Sequence, residues 1–291
     1  MINTNIKLVV TDIDNTLFDW VAYYGNAFPI SLRYVADQTG IDYDLLLSES
    51  RDIFTQHSIE YPFLVQSLPS VIRGRSRRQI LELASNAREV FKSSALPYLI
   101  PYVGVETTLA SLKKKGIPIV ALTDAPRYVA MWKLNKLGIL HYFDAIYGLE
   151  DPKLPVSTDS EKVLVDEELL LKHLRQTNFN FQGRVRTLPD DYEKPGTKGF
   201  KTILMEFDLD KSELSRQIMW IGDNLKKDVE LGSQLGVVTA WAKYGAANEG
   251  LQQLLQFSPL ENIRKNASIE DSISAPDIVL SEFSDILSYL E

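Results

Sequence analysis

A chain of 291 residues is long enough for one large α/β domain or for a core plus a smaller domain, and its formal net charge of −8 disfavours non-specific attraction to nucleic acid or to an acidic membrane surface. Absence of cysteine excludes disulfides, thiol nucleophiles and thiolate metal sites. Hydrophobic content of 45% and charged content of 24% are ordinary for a soluble protein, and no apolar leader or run near the ~18–20 residues of a membrane span occurs, so a cytoplasmic enzyme or binding protein is expected.

The first apolar run, Ile6 to Val10, is short and rich in Val, Ile and Leu, as suits a strand buried on both faces of a parallel sheet. It delivers Asp12 and Asp14, followed by Thr16. If strand geometry persists to Asp14, the two carboxylates point the same way, and they repel unless a cation or a shared proton relieves them. From this stretch alone two readings stand open: a site, or a loop with Asp14-Asn15 as turn residues and Thr16 as a helix cap.

A helical block follows. Trp20, Tyr23, Tyr24, Ala27 and Phe28 recur at three- and four-residue spacing, and Leu32, Val35 and Ala36 continue past Pro29 to a stop at Gly40. Further helical patterns cover about 43–54, 62–72 and 79–91. Nothing between Asp19 and Ala95 reads as a strand, so residues 18–100 are expected to form a separate small helical domain.

Strand–helix alternation then resumes. Gly104 to Lys115 reads as a helix stopped by Gly116, Ile117 to Leu122 as a buried strand ending in Thr123-Asp124, and Pro126 to Leu137 as a helix stopped by Gly138. Ala145 to Tyr147 is a short strand. Residues 150–192 break the pattern, with prolines, a helix expected over Glu161–Arg175 and a polar stretch from Gln176 to Arg186; they read as an insertion, a decoration near the site or an oligomer contact. Lys194-Pro195 opens the next unit, with a helix from about Gly199 to Phe207. Ile218 to Ile221 is a strand ending in Gly222-Asp223-Asn224, followed by a helix through Asp228 to Leu235 and a strand at Val237–Ala240. Asp277 to Leu280 is a candidate edge strand and Phe283 to Leu290 a closing helix. The repetition predicts a doubly wound, Rossmann-like parallel sheet, residues 1–17 and 101–291, carrying the helical domain.

Four strand ends now bear polar groups: Asp12/Asp14, Thr123/Asp124, Lys194, and Asp223/Asn224 with Asp228. Parallel strands put them on one edge of the sheet. Converging carboxylates without histidine or cysteine favour a hard cation such as Mg²⁺ over Zn²⁺. Opposed by one lysine and a hydroxyl, such a cluster has the parts that phosphoryl transfer needs.

In these residues the chain resembles the haloacid dehalogenase-like (HAD) hydrolase superfamily. Asp12, Asp14 and Thr16 match Asp-x-Asp-x-Thr; Thr123 matches a strand ending in Ser or Thr. Lys194-Pro195 matches the third motif, and Gly222, Asp223 and Asp228 match Gly-Asp-x-x-x-x-Asp. The helical block lies where members with a helical C1 cap carry it. The resemblance implies that Asp12 attacks phosphorus to form an aspartyl-phosphate, and that Asp14 protonates the leaving oxygen and then activates water. It implies Mg²⁺ held by Asp12, Asp223 and the Asp14 carbonyl, phosphoryl contacts from Lys194 and Thr123, and support from Asp228 and Asn224.

The expected activity is hydrolysis of a small phosphate monoester, with no nucleic-acid or membrane partner. A phosphomutase shares every core motif. A dehalogenase is a weaker match because it needs no second acid, and a binding protein that has lost the chemistry should show degraded motifs. Arg73, Arg75, Arg77 and Arg78 read as a solvated helix start, with recognition of an anionic part of the substrate as the functional alternative. His57, Tyr23, Tyr24, Tyr61 and Phe63 read mostly as core, with one or two as candidates to face substrate.

Overall fold

The computed structural model describes residues 5–57, 59–151, 179–207, 217–246 and 274–290. Seven parallel strands form one sheet in the order β4-β3-β2-β1-β5-β6-β7. They are β1 (Leu8–Thr11), β2 (Ile119–Pro126), β3 (Ala145–Leu149), β4 (Arg184–Leu188), β5 (Ile218–Gly222), β6 (Val238–Ala242) and β7 (Ile278–Leu280). The α/β Rossmann-like fold expected from the alternation is the one observed. β1 is central, with Val9 opposite Ile119 on one side and Met219 on the other. The chain leaves β1 toward β2 and returns to its far side only at β5, so the reversal in strand order lies beside β1, where α/β sheets hold their ligands.

Alternation along the strands separates two apolar layers. Val9, Ile119, Ala121, Ile146, Met219 and Ile221 face one way, and Leu8, Val10, Val120, Tyr147, Ile218 and Trp220 the other. The first layer continues without a break into the helical segment between β1 and β2. That segment contains α1 (Trp20–Thr39), α2 (Tyr43–Phe54), α3 (Leu64–Ser67), α4 (Pro69–Ile72) and α5 (Arg77–Ala95). Asp19 caps α1 by accepting from the Ala22 N–H at 2.8 Å, and Gly40 ends it at φ 67°, a conformation costly for residues with a Cβ. Trp20, Tyr24 and Phe28, four residues apart, stack at 5.2 and 5.4 Å. The single pattern over 62–72 resolves into α3 and α4, broken at Pro69, which opens α4.

Between the strands lie α6 (Val105–Lys114), α7 (Arg127–Lys136), α8 (Lys198–Glu206), α9 (Glu230–Leu235) and α10 (Lys243–Ala246). The closing element, Phe283–Tyr289, is a 3₁₀ helix. Two expectations change. β1 stops at Thr11, so strand geometry does not carry through to Asp14. Within the expected insertion, Arg184–Leu188 forms the edge strand β4, paired in parallel with β3. Its sequence reads as polar because Arg184 and Arg186 project outward and pair with Glu206 at 2.8 Å each, and exposed charge is a common way to protect a sheet edge. The helix expected over Glu161–Arg175 lies outside the described residues. No helix among the described residues is long and apolar enough to cross a membrane.

Candidate active site

Asp12 follows β1 directly, and its N–H donates to the Ile221 carbonyl at 2.8 Å, tying it to β5. Gly222 ends β5 and Asp223 follows it, and Asp228 lies on one π-helical turn, Leu225–Val229, that leads into α9. Asn224 starts that turn by accepting from the Lys226 and Lys227 N–H groups at 3.0 Å each. The turn folds Asp228 back over Gly222, where a Cβ would lie 2.3 Å from the Asp228 carboxyl carbon. Only glycine leaves room for that carboxylate. Two tryptophans fix the backbone here: Trp220 donates to the Asp228 carbonyl and Trp241 to the Asp223 carbonyl, each at 2.8 Å.

The three acids Asp12, Asp223 and Asp228 offer carboxylate oxygens within 4.8 Å of one another. Lys194 enters from the loop after β4; its Nζ lies 2.9 Å from Asp12 Oδ2 and 2.9 Å from Asp228 Oδ1. Asp228, only 1% exposed, is completed by the Asn224 N–H at 3.0 Å on its other oxygen. The Lys194 N–H donates to Asp124 at 2.9 Å, and Asp124 also accepts from Lys227 at 2.9 Å. Thr123 is buried within β2, next in sequence to Asp124, its hydroxyl accepting from the Ala125 N–H at 3.1 Å.

Three carboxylates, those of Asp12 and Asp228 buried and that of Asp223 half-buried, against one ammonium leave an excess of negative charge. Burial pushes Asp12 up to about 7, with Lys194 opposing and Asp228 adding to the rise. Burial likewise lifts Asp223 well above the usual carboxylate range, with Asp228 and Asp12 contributing. Burial works against the Lys194 ammonium, but Asp12, Asp228 and Asp124 outweigh it and hold its pKa well above the ordinary lysine value. An all-oxygen donor set with surplus negative charge suits a hard divalent cation.

Asp14 is held differently. Its two oxygens accept from Lys133 Nζ at 2.8 and 3.0 Å, and the same ammonium reaches Glu60 Oε2 at 2.7 Å. Lys133 lies on α7 with no solvent exposure, and Glu60 belongs to the helical segment, so the chain of charges joins that segment to the β1 loop. Burial raises Glu60, with Lys133 opposing. The loop is held from beneath by residues of α10: Tyr244 donates to the Thr16 carbonyl at 2.7 Å, and a Cβ on Gly245 would lie 1.7 Å from the Asn15 carbonyl oxygen.

Asp12, Lys194, Asp223 and Asp228 lie together, Thr123 is buried on β2 with its hydroxyl turned to the Ala125 N–H, and the Asp14 carboxylate turns to a separate lysine. Lys133 and Glu60 were not singled out. The available signal was Lys133 itself, which falls on the buried stripe of Ala130, Leu134 and Leu137. In the basic cluster, Arg73, Arg77 and Arg78 are exposed, while Arg75 donates to the Ser70, Val71 and Thr39 carbonyls. His57 stacks on Tyr61 at 4.0 Å.

A haloacid dehalogenase-like hydrolase family model matches residues 6–236. A glyceraldehyde 3-phosphate phosphatase from Methanopyrus kandleri is 22% identical over 82% of this chain and 85% of its own. Among solved structures, a 2-haloacid dehalogenase from Pseudomonas syringae pv. Tomato superimposes with TM-score 0.57 at 17% identity, covering 98% of this chain and 97% of that one. A predicted phosphoglycolate phosphatase from Haemophilus somnus does so with TM-score 0.50 at 16% identity, covering 98% of both chains. These structural likenesses establish the shared fold. With its family model spanning every strand end of the site, the chain belongs to the haloacid dehalogenase-like hydrolases.

Proposed function

We propose that the protein is a Mg²⁺-dependent phosphatase of a small phosphate monoester, acting through an aspartyl-phosphate on Asp12. The observation that carries this reading is the Asp12–Lys194–Asp228 arrangement beside Asp223, in which one ammonium neutralises only part of a largely buried acidic cluster. Asp12, Asp223 and the Asp14 carbonyl would hold the cation, with Asp228 supporting it while anchoring Lys194. When bound, Mg²⁺ neutralises charge on the phosphoryl oxygens and keeps Asp12 ionised. Lys194 restrains the Asp12 carboxylate, and Lys194 and Thr123 donate to the transferring group. Asp12 then attacks phosphorus as the leaving oxygen takes a proton from Asp14, and Asp14 next takes a proton from the water that hydrolyses the acyl phosphate.

The second acid is what favours phosphate esters over haloacids, because a departing halide needs no proton. The phosphatase name of the Methanopyrus relative points the same way. In this reading residues 18–100 act as the cap that selects the leaving group. The test is Mg²⁺-dependent phosphate release from p-nitrophenyl phosphate and from a panel of sugar phosphates and nucleotides, with Asp12→Asn as control. Release by the native chain alone is expected; no release from any ester sinks the reading, and exchange of phosphoryl between substrate isomers without net release identifies a mutase instead.

A further inference from the structure

The helical segment and the start of α7 line a half-open cavity of about 170 Å³, bounded by α1, the 60–66 stretch and α5. That is comparable to the roughly 150 Å³ cavities that accommodate a benzene ring. Its walls include Tyr24, Phe28, Phe91 and Trp132, and three charged residues line this aromatic chamber, Glu60, Arg88 and Lys92, the last paired with Glu89 at 3.0 Å. Their situations differ. Glu60 is satisfied by Lys133 at 2.7 Å. Arg88 has no carboxylate within ion-pair distance among the described residues and donates to the Pro62 carbonyl at 3.3 Å. It sits on the inward stripe of α5, between buried Ala84 and the pocket residue Phe91, and its burial lowers its pKa from the ordinary arginine value. A guanidinium so enclosed remains charged and calls for an anion, most favourably a carboxylate taken in two-pronged fashion.

The cavity also has a defined position relative to the chemistry. Glu60 lines it, and one ammonium, Lys133, separates Glu60 from Asp14. Glu60 therefore couples the cavity wall, through Lys133, to the group assigned to protonate the leaving oxygen, while Asp14 and Lys133 themselves lie behind that wall. We propose that this pocket receives the organic part of the substrate, a ring or branched apolar body ending in a carboxylate that pairs with Arg88. The substrate class is then the phosphate monoester of a small apolar hydroxy acid. This rests on the phosphatase reading, which it makes specific.

Phenylacetate and its neutral counterpart 2-phenylethanol are the probes, titrated calorimetrically into the full chain without Mg²⁺ or any phosphate ester. Phenylacetate is expected to bind about tenfold or more tightly than the alcohol, the worth of one charge-assisted contact. Arg88→Met should bring the two to equal affinity and Arg88→Lys should restore part of the difference, which separates a lost charge from a misfolded pocket. Absence of phenylacetate binding to the native chain, or unchanged binding to R88M, overturns the proposal. In turnover of p-nitrophenyl phosphate, phenylacetate should raise KM and leave kcat unchanged, and R88M should abolish that effect. Inhibition that lowers kcat with KM unchanged overturns the assignment to substrate. The calorimetric arm needs no turnover, so a failed hydrolase assay and an empty pocket are distinguishable.

Discussion

Lys133, a fully buried lysine on the helix after β2, donates to both carboxylate oxygens of Asp14, at 2.8 and 3.0 Å. The same ammonium meets Glu60 at 2.7 Å, so one side chain spans the sheet edge and the helical segment above it. Burial opposes its charge, yet Asp14 and Glu60 raise its pKa above the ordinary value.

Removing that ammonium leaves two partly buried carboxylates without their cation. Lys133→Met should therefore destabilise the fold by about 3–5 kcal/mol, the usual cost of breaking a buried pair. Lys133→Met combined with Glu60→Gln should cost less than the sum of the two single changes. Denaturant unfolding of the four proteins measures the coupling; simple additivity would show that the pair carries no joint energy.

Asp12 gives a pH dependence of definite sign. Its folded value is raised to about 7 from 3.8, so its contribution to stability is fully present below 3.8 and is lost as pH rises through about 7. In EDTA the midpoint of thermal unfolding should fall across that window, and Asp12→Asn should flatten the fall. Mg²⁺ added at the alkaline end should restore several degrees by binding only the folded state. Identical profiles for the native chain and D12N would contradict the assignment.

Asp228 and Gly222 act as a unit. Gly222→Ala drives a methyl against the Asp228 carboxyl, 2.3 Å away, and must displace the acid or the strand end. Mg²⁺ affinity in the activity assay should drop about 10–100-fold, the usual effect of disturbing groups that orient metal ligands. Asp228→Asn should fall in the same range. Native Mg²⁺ dependence in both variants would remove Asp228 from the site.

Gly245→Ala tests the floor of the Asp14 loop, since its Cβ would lie 1.7 Å from the Asn15 carbonyl oxygen. Asn15 holds φ at 57°, a left-handed conformation with little freedom to shift. The expected outcome is loss of most of kcat together with a lowered unfolding midpoint. Full activity in G245A would show that the loop has slack.

The strand–helix order, the parallel sheet and the meeting of Asp12, Lys194, Asp223 and Asp228 at one sheet edge are all legible in the chain itself. Buried parallel strands announce themselves as short β-branched runs, and their polar ends fall on one edge whatever packs elsewhere. The edge strand β4 escapes that reading because Arg184 and Arg186 hide it behind charges paired with Glu206.

Around Asp12 and Asp14 the sequence leaves a turn and a site both open, and the groups that favour a site, Lys194, Asp223 and Asp228, lie more than a hundred positions away. What only the folded chain settles is the division between the two acids: Asp12 joins Lys194, whereas Asp14 joins Lys133 and, through it, Glu60. Motif spacing determines which acids share a sheet edge. Which ammonium each acid meets depends on how α7 and the helical segment pack over that edge, and a buried charge finds its partner across the fold rather than along the sequence.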